Sequence, residues 1–432
     1  MKKASLLLYT IFLLCLSSNL AVGQTFNHNR YGSLADYLNS IFGLDPNVGL
    51  TAFPILNIPM GGRSEGMAGA FAAVADDISF LQYNPAGSSM LANTELALFH
   101  NNWIADTNIG ALAWASRRNE LGFAAGIVWL YLPFTEYNMY GQRVAAGYYS
   151  EGVGTLNISH NFFRSYSFGG ISLGANLKTA FRIVPDFTDA DDQGNNQGQL
   201  IAGSGRSQST AMAMFDVGML TRFNFLKTYY SRDFNTSLAL VFRNLGPPAM
   251  GEPLPSALVA ALGYRPIRPL LFSFDFTMPM NFMNFSLSER PFWALGFAAD
   301  VTSFLSVRTG FMAKTGNARI TVGSAVHLRN MSIDMNYTLD LLTQLQPLNR
   351  VSVGVRLNLG DQGRQVRRDK VDELYLLGID AYSVMDFESA RSFWEEALSM
   401  DPRFTPARDG LNLIQRTLDT EERIREMQRL FD

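Results

Sequence analysis

The feature that most constrains this chain is a strict alternation of polar and apolar residues, repeated in short segments between residues 94 and 360. In the segment SIDMNYTL, which starts at Ser332, every second side chain is polar and the others are apolar. The segments LFSFDFTM, from Leu271, and RVSVGVRLNL, from Arg350, show the same pattern. A period of two residues predicts β-strands with two unlike faces.

A soluble β-sandwich and a membrane barrel both alternate in this way, but three observations favour the barrel. The segments have the length of about ten residues that membrane strands need. Aromatic residues such as Trp103, Trp129 and Trp293 stand near predicted strand ends, as interface girdles do. Links after odd-numbered strands include the long ones, at 132–152, 184–208, 247–255, 279–290 and 341–349. We therefore expect an all-β transmembrane barrel of about 14 antiparallel strands over residues 94–360, with both ends on the periplasmic side.

The N-terminus has the pattern of a secretory signal peptide, which we assign to residues 1–23. Lys2 and Lys3 precede an apolar run that ends near Leu16, and small residues follow. The run is too short for a membrane anchor. Cys15 is the only cysteine and is predicted to leave with the signal. The mature chain is thus expected to lack disulfide, zinc-thiolate and cysteine-nucleophile chemistry.

The net charge and the composition argue against several classes of function. A net charge of -3, without a concentrated basic patch, predicts no nucleic-acid partner. The four histidines are scattered and form no ligand cluster. The sequence contains no nucleophile elbow, phosphate-binding loop or dinucleotide fingerprint. We therefore expect a protein that is not an enzyme and that holds no metal or cofactor.

The segment before the first strand is the candidate for filling the barrel. A lumen of about fourteen strands is too wide for the side chains of its own wall to fill. Residues 24–93 lack the barrel-like alternation and precede the first predicted strand. We expect this segment to fold inside the lumen as a plug, or hatch.

The block PMGGRSEGMAGAFAAVADDISFLQYNPAGSSML, from Pro59, resembles the FadL-type outer-membrane transporter superfamily, in particular its PorV/PorQ-like branch. The shared residues are Gly62-Arg63, Met67–Phe71, Asp76-Asp77 and Asn84–Gly87. The resemblance covers residues 59–360. It implies an outer-membrane barrel, surrounded by outer-membrane lipid, that takes up long-chain fatty acids or other hydrophobic molecules. In that group the ligand binds against the hatch and leaves sideways through the wall near the third strand.

The residue types of this block have the conformational and hydrogen-bonding properties that a hatch requires. A proline pushes Asn84 toward an extended conformation, and the asparagine amide can bond to loop backbone. Asp76 or Asp77 can cap a short helix from about Ile78. A plainer interpretation is a turn with capping aspartates, and a catalytic carboxylate pair is disfavoured because chain neighbours usually point apart. The predicted hatch motif is Asp76, Asp77, Asn84, Pro85, Ala86 and Gly87.

The same resemblance implies a ligand site between hatch and wall. An arginine suits a fatty-acid carboxylate, and Arg63 or an inward-facing arginine of the wall is a candidate. Gly122 and Gly126 in the predicted third strand can permit a kink where the wall opens. The expected apolar lining is Phe71, Phe80, Leu81 and Tyr83. The expected inward-facing charges are Lys178, Arg243, Asp275, Arg308, Asp334 and Arg356.

The chain changes character after Gly360, because residues 361–432 carry charge far more densely than the rest. We predict a linker at 361–370 and a helical domain at 371–432 that resembles a tetratricopeptide repeat. One repeat rarely buries a stable core alone, so we expect docking on the periplasmic mouth, pairing with another chain, or binding of a periplasmic protein. A capping helical tail is the alternative. The matching positions are Leu374, Leu377, Gly378, Ala381, Ala390, Trp394, Ala397 and Pro402.

Two functions remain from the sequence. The first is an outer-membrane transporter for long-chain fatty acids or similar hydrophobic molecules. The second is a non-transport anchor or shuttle for a secretion or envelope assembly, which contacts partners through its C-terminal helices. The last strand, with Ser352, Gly354, Leu357 and Leu359, resembles the signal read by the barrel assembly machinery, an expected partner during biogenesis.

Overall fold

A computed structural model describes residues 45–103, 107–137, 140–186, 188–190, 196–315, 318–341 and 349–431. The predicted signal peptide and residues 24–44 of the predicted hatch lie outside this range. Within it, fourteen antiparallel strands close into one barrel, because the first strand pairs with the last. The barrel strands are β1 Glu95–Asn102, β2 Asn108–Arg118, β3 Leu121–Tyr137, β4 Arg143–Phe162, β5 Phe168–Ile183, β8 Thr210–Phe223, β9 Thr236–Leu245, β10 Ala257–Tyr264, β11 Leu270–Pro279, β12 Phe292–Asp300, β13 Leu305–Ala313, β14 Arg319–His327, β15 Met331–Asp340 and β16 Asn349–Asn358.

The two faces of the wall are unlike, as the alternation predicts. In β11, Ser273, Asp275 and Thr277 are buried toward the lumen. The alternating side chains Phe272 and Phe274 are exposed on the outside. Other strands repeat this arrangement, so the outer face presents an apolar surface. Aromatic and branched side chains suit this pleated surface, which explains why these segments form strands.

One long link was predicted wrongly. Residues 132–137 and 143–152 belong to strands and not to a loop, because β3 and β4 continue as a paired ribbon through Leu132↔Tyr149 to Tyr137↔Arg143. The segment is rich in tyrosine and other strand-forming residues, which outweigh Pro133. The next long link contains a separate two-stranded sheet of β6 Thr188–Ala190 and β7 Asn196–Leu200, and a 3-10 helix Ser204–Ser207.

Short helices precede the barrel and longer helices follow it. The short ones are the 3-10 helix Pro54–Asn57, α1 Arg63–Gly66, α2 Phe80–Tyr83 and the 3-10 helix Pro85–Met90; a further 3-10 helix, Phe285–Leu287, lies between β11 and β12. The C-terminal helices are α3 Arg364–Ser383, α4 Phe387–Met400 and α5 Thr405–Phe431. None of the helices in the described ranges combines the length and hydropathy of a membrane-crossing helix. The linker is shorter than predicted, since α3 already begins at Arg364.

The C-terminal helices share a small core around Trp394. Leu374, Ala390 and Ala397 are buried there, and a Cβ on Gly378 would overlap the indole ring. Ala381 packs at the edge of this core, whereas Leu377 and Pro402 are exposed. Small residues at the helix crossing therefore allow close packing, while the tetratricopeptide assignment stays a prediction.

The helices dock on the rim of the barrel where β1 begins and β16 ends, called here the helix-bearing rim. Arg403 forms an ion pair with Glu120 at 2.6 Å, and Arg232 pairs with Asp372 at 2.6 Å. The ring of Phe404 meets that of Tyr166 edge-on at 5.3 Å. The opposite rim, which carries the links after β5, β9 and β11, is called the long-loop rim.

The apolar outer face predicts contact with lipid. Leu240, in the middle of β9, is 41% exposed on that face. We expect Leu240→Arg to lower the free energy of unfolding in lipid vesicles by about 2–4 kcal/mol, because a charge would enter hydrocarbon. Leu376→Arg, on an exposed face of α3, should change it by less than about 0.5 kcal/mol. Denaturant titration measures both, and equally small effects would contradict a lipid-facing wall.

Candidate functional site

Of residues 45–93, the described part of the hatch, the segment from Ala52 to Leu91 is mostly buried inside the lumen, whereas residues 45–50 lie at the long-loop rim, where Asn47 donates to the Ser288 carbonyl at 3.0 Å. Residues 61–75 contact the β11–β16 part of the wall, where Thr321 donates to the Gly66 carbonyl at 3.0 Å and Asn336 to the Gly62 carbonyl at 2.9 Å. The 3-10 helix Pro85–Met90 contacts the opposite part of the wall, from β2 to β8. The hatch therefore spans the lumen from one side of the wall to the other.

Asn84 joins two parts of the hatch to the wall. It is extended, with φ -154° and ψ 110°, as the following proline predicts. Its Nδ2 donates to the Ala72 carbonyl at 2.8 Å and to the Met219 carbonyl of β8 at 3.3 Å. Its Oδ1 accepts from the Ala86 amide at 3.0 Å and caps the 3-10 helix Pro85–Met90. The side chain is fully buried, so each of these bonds satisfies a group that water does not reach.

Small polar side chains of β4 and β5 hold that 3-10 helix. Asn157 donates to the Pro85 carbonyl at 2.9 Å, and Ser172 donates to the Ala86 carbonyl at 2.7 Å. Ser159 accepts from the Ser89 amide at 2.8 Å. Sequence reasoning missed these wall residues. The signal that could have found them is the run of short polar side chains at the lumen-facing positions of two adjacent strands.

Wall glycines make room for the same helix. A Cβ on Gly122 of β3 would overlap the backbone of Ser88 and Ser89, and one on Gly174 of β5 would overlap Pro85. Gly122 was predicted as a kink, but β3 pairs without interruption through it with both neighbouring strands. In this structure its role is the close approach of the hatch. Opening of the wall at β3 stays a prediction.

The two aspartates are ion-paired on the side of the hatch that faces the helix-bearing rim. Asp76 contacts Arg63 at 2.7 Å and Arg265 at 3.0 Å. Burial alone would raise the pKa of Asp76, but these arginines outweigh it and hold the pKa well below its ordinary value. A carboxylate held ionised in this way serves as an electrostatic tie between hatch and wall.

Asp77 accepts from the Ser79 amide at 2.9 Å and contacts Arg356 at 2.9 Å. The predicted helix from Ile78 begins two residues later, at Phe80, with Ser79 as its N-cap. The aspartate therefore shapes the turn that leads into α2, and at the same time pairs with a charge of β16.

A cavity of about 510 Å³ lies between the hatch and the long-loop rim. The hatch residues Tyr83 and Ile58 form part of its floor. Its wall and mouth include apolar side chains and several charges. The apolar and aromatic contributors are Trp103, Leu254, Met280, Leu287, Phe292 and Met312. The charged contributors are Arg243, Asp275, Glu289, Lys314 and Arg319.

The predicted lining residues separate into two groups. Tyr83 lines the large cavity and Leu81 lines a small second one, whereas Phe71 and Phe80 are fully buried in hatch–wall packing and border neither. Arg63 borders neither cavity and is occupied by Asp76. Among the candidates for a carboxylate contact, arginines of the wall therefore lie nearer to the large cavity than Arg63 does.

The second cavity, of about 40 Å³, lies at the wall beside Gly126 of β3. Its lining is mainly apolar and includes Leu81 of the hatch and Ile127, which is exposed on the outer face. Leu56 and Gln82 border both cavities. A thin layer of hatch side chains therefore separates the large cavity from a small-residue region of the wall.

A closed barrel whose N-terminal segment spans the lumen places this chain among plugged β-barrels. Residues 42–362 match the model of an uncharacterised protein family, UPF0164, and the chain belongs to that family. A UPF0164 protein of Treponema pallidum (strain Nichols) is 28% identical over 381 residues, which is 85% of this chain and 83% of the relative. Another from the same strain is 24% identical over 398 residues, with 85% and 76% covered. The family match ends at residue 362, so α3–α5 lie beyond it.

Among solved structures, the chain is similar to the CymD monoaromatic hydrocarbon channel, with 12% identity and a TM-score of 0.47 over 72% of this chain and 99% of the channel. It is also similar to the Ralstonia pickettii toluene transporter TbuX, with 11% identity and a TM-score of 0.44 over 72% and 99%.

Close packing at Gly122 predicts a sharp difference between two glycines of adjacent strands. Gly122→Ala should lower the free energy of unfolding by about 1–3 kcal/mol and speed hydrogen exchange at the Ser89 amide, because the hatch must move away. Gly154→Ala of β4 is the control, since the nearest atom to its added Cβ would be 4.0 Å away. Equal exchange at Ser89 in both variants would contradict the role given to Gly122.

Proposed function

We propose that this protein is an outer-membrane channel through which hydrophobic small molecules are taken up, with long-chain fatty acids as the expected class. The observation that carries the proposal is the large cavity, which borders the long-loop rim and is separated by the hatch from the helix-bearing rim. Exposed apolar side chains of the outer wall fit a membrane barrel, and the helix-bearing rim is then periplasmic. A ligand would enter from outside and stop against Tyr83 and Ile58.

The two cavities support a sideways exit. A molecule in the large cavity is separated from the wall at Gly126 by Leu56 and Gln82. Gln82 is held in place by two bonds, from its Nε2 to the Ile58 carbonyl at 2.5 Å and from the Met60 amide to its Oε1 at 3.0 Å. Displacement of this layer would connect the large cavity with the lipid-facing wall. An apolar molecule leaving here would avoid water, at a saving of about 0.8 kcal/mol per methylene group.

The first test is binding to the refolded full chain. Labelled long-chain fatty acid is expected to bind saturably to the wild type. The Asn84→Ala/Pro85→Ala variant should bind more weakly, because the bonds that order the hatch floor are lost. Asn330→Ala, in a turn of the helix-bearing rim, is the control. Heat-modifiable gel mobility establishes that all three chains are folded, and absence of binding by the folded wild type would overturn the proposal.

A second test separates binding from exit. Gly126→Leu places a side chain in the small cavity, so delivery of labelled fatty acid into surrounding vesicle lipid should slow several-fold while equilibrium binding stays within about twofold. Delivery is followed by transfer of the label to a fluorescent acceptor in the bilayer. Unchanged delivery would exclude an exit at this part of β3 and leave the binding proposal standing.

The docked helices favour a second candidate function, an anchor or shuttle for a secretion or envelope assembly. Val384 and Met385, in the turn between α3 and α4, are strongly exposed and are available to a periplasmic partner. Binding of fatty acid distinguishes the channel from the anchor or shuttle. A folded barrel that binds no apolar molecule but retains a partner through its helices would favour this second role.

A further inference from the structure

The last helix, α5, is longer than the helical core to which it belongs. Its first half is buried in that core through Ala407 and Ile414. The hydroxyl groups of Thr417 and of Tyr382, near the end of α3, form a hydrogen bond at 3.1 Å. Beyond Thr417, the hydrogen bonds and ion pairs of the described side chains of α5 stay within the helix. Residues 418–431, called here the projection, therefore extend past the core by about 20 Å.

An apolar line runs along the exposed side of α5. Leu413, Ile424 and Met427 are 46%, 45% and 52% exposed. Together with Thr417 and Thr420 they recur at alternating steps of four and three residues, and these five residues are called the seam. This spacing is the heptad pattern of helices that pair lengthwise. Isolated helices shorter than about 12–15 residues are marginal in water, so the projection is expected to be stabilised by a second helix on its seam.

The charges beside the seam complement themselves in one orientation. Arg416 and Glu421 take the two flanking positions of the heptad, and Arg416 has no ion pair within 4 Å among the described residues. In two parallel helices, Arg416 of each copy lies opposite Glu421 of the other. In antiparallel helices, flanking positions of the same kind meet, so Arg423 would face Arg423 and Glu421 would face Glu421. The flanking charges therefore favour a second copy of this chain in parallel orientation.

The parallel orientation also suits two barrels in one membrane. Helix α5 begins at Thr405, next to Phe404, whose ring meets that of Tyr166 on the helix-bearing rim. The projection is the opposite end of the helix. Parallel pairing thus places both barrels at the same end of the paired helices, within reach of one bilayer, whereas antiparallel pairing places them at opposite ends.

We propose that two copies of this protein associate through a parallel pair of α5 helices that bury the seam. Two threonines in the seam bury less apolar surface than two leucines would, so the dimer is expected to dissociate on dilution in lipid. The surface lies outside the barrel, and the inference holds whether or not the channel carries fatty acids. The occupant is a second copy because the flanking charges complement themselves.

Disulfide trapping tests the seam. A Cys15→Ser background leaves no other cysteine, and Ile424→Cys or Glu422→Cys then places one thiol on the projection. Parallel pairing brings position 424 of both copies together, whereas position 422 lies on the opposite side of the helix. With the full chain refolded into lipid vesicles, mild oxidation should trap the Ile424→Cys dimer about tenfold faster than the Glu422→Cys dimer. Equal rates, or no dimer in either variant, would overturn the seam.

Charge reversal tests the recognition of a second copy. Arg416→Glu places like charges opposite each other at both ends of the pairing, so the dimer should dissociate at about fivefold higher concentration. Arg416→Glu/Glu421→Arg should recover most of the wild-type affinity. Glu422→Arg is the control for overall charge, and sedimentation in density-matched detergent measures the dissociation constants. Failure of the double variant to recover would exclude the parallel charge pairing.

A seam variant separates this contact from association of the barrels themselves. Ile424→Asp should be monomeric where the wild type is dimeric, while heat-modifiable gel mobility and helix content stay those of the wild type, because Ile424 is exposed in the single copy. Dimers that persist in Ile424→Asp would place the contact elsewhere and overturn the proposal. A folded wild type that stays monomeric at every ratio of protein to lipid would overturn it as well.

Discussion

The structure depends on the close approach of the hatch backbone to the inner wall. A fourteen-stranded barrel closes its own hydrogen bonds but leaves a lumen that its side chains cannot fill. Glycines at the contact points, such as Gly122 and Gly174, let the hatch come within bonding distance of its neighbours. Asn84 then satisfies buried groups on both sides of the contact. Hatch and wall therefore pack as one unit. The hatch fills only part of the lumen, and the cavity is the part that it leaves open.

Charged side chains are arranged differently on the two sides of the hatch. On the side of the helix-bearing rim, Asp76 and Asp77 pair with arginines of the hatch and the wall, so the hatch is tied there by compensated charge. On the side of the long-loop rim, Arg243 and Arg319 line the cavity, and neither forms an ion pair within 4 Å with another described residue. Arginines are thus ion-paired on one side of the hatch and border a cavity on the other.

The C-terminal helices extend this arrangement beyond the barrel. Arg364 donates to the carbonyls of Arg117 and Ala92, and Arg117 in turn donates to the Ser89 carbonyl of the hatch. The first of these helices therefore contacts the chain at the point where the hatch passes into β1. The C-terminal helices, which lie beyond the family match, are thus connected to the hatch. The hatch is the element that separates the cavity from the helix-bearing rim.

The sequence by itself determined the strand number, the two faces of the wall, the position of the hatch and the extended Asn84, because alternation and a proline act over a few neighbouring residues. It also indicated small residues at the crossing of the C-terminal helices. It misjudged the 132–152 link and the start of α2, since cross-strand pairing and hatch packing override local signals. Only the tertiary structure decided which charges find partners. Arg63 and Arg319 look alike in sequence, but one meets Asp76 and the other meets a cavity, because distant segments converge in the lumen.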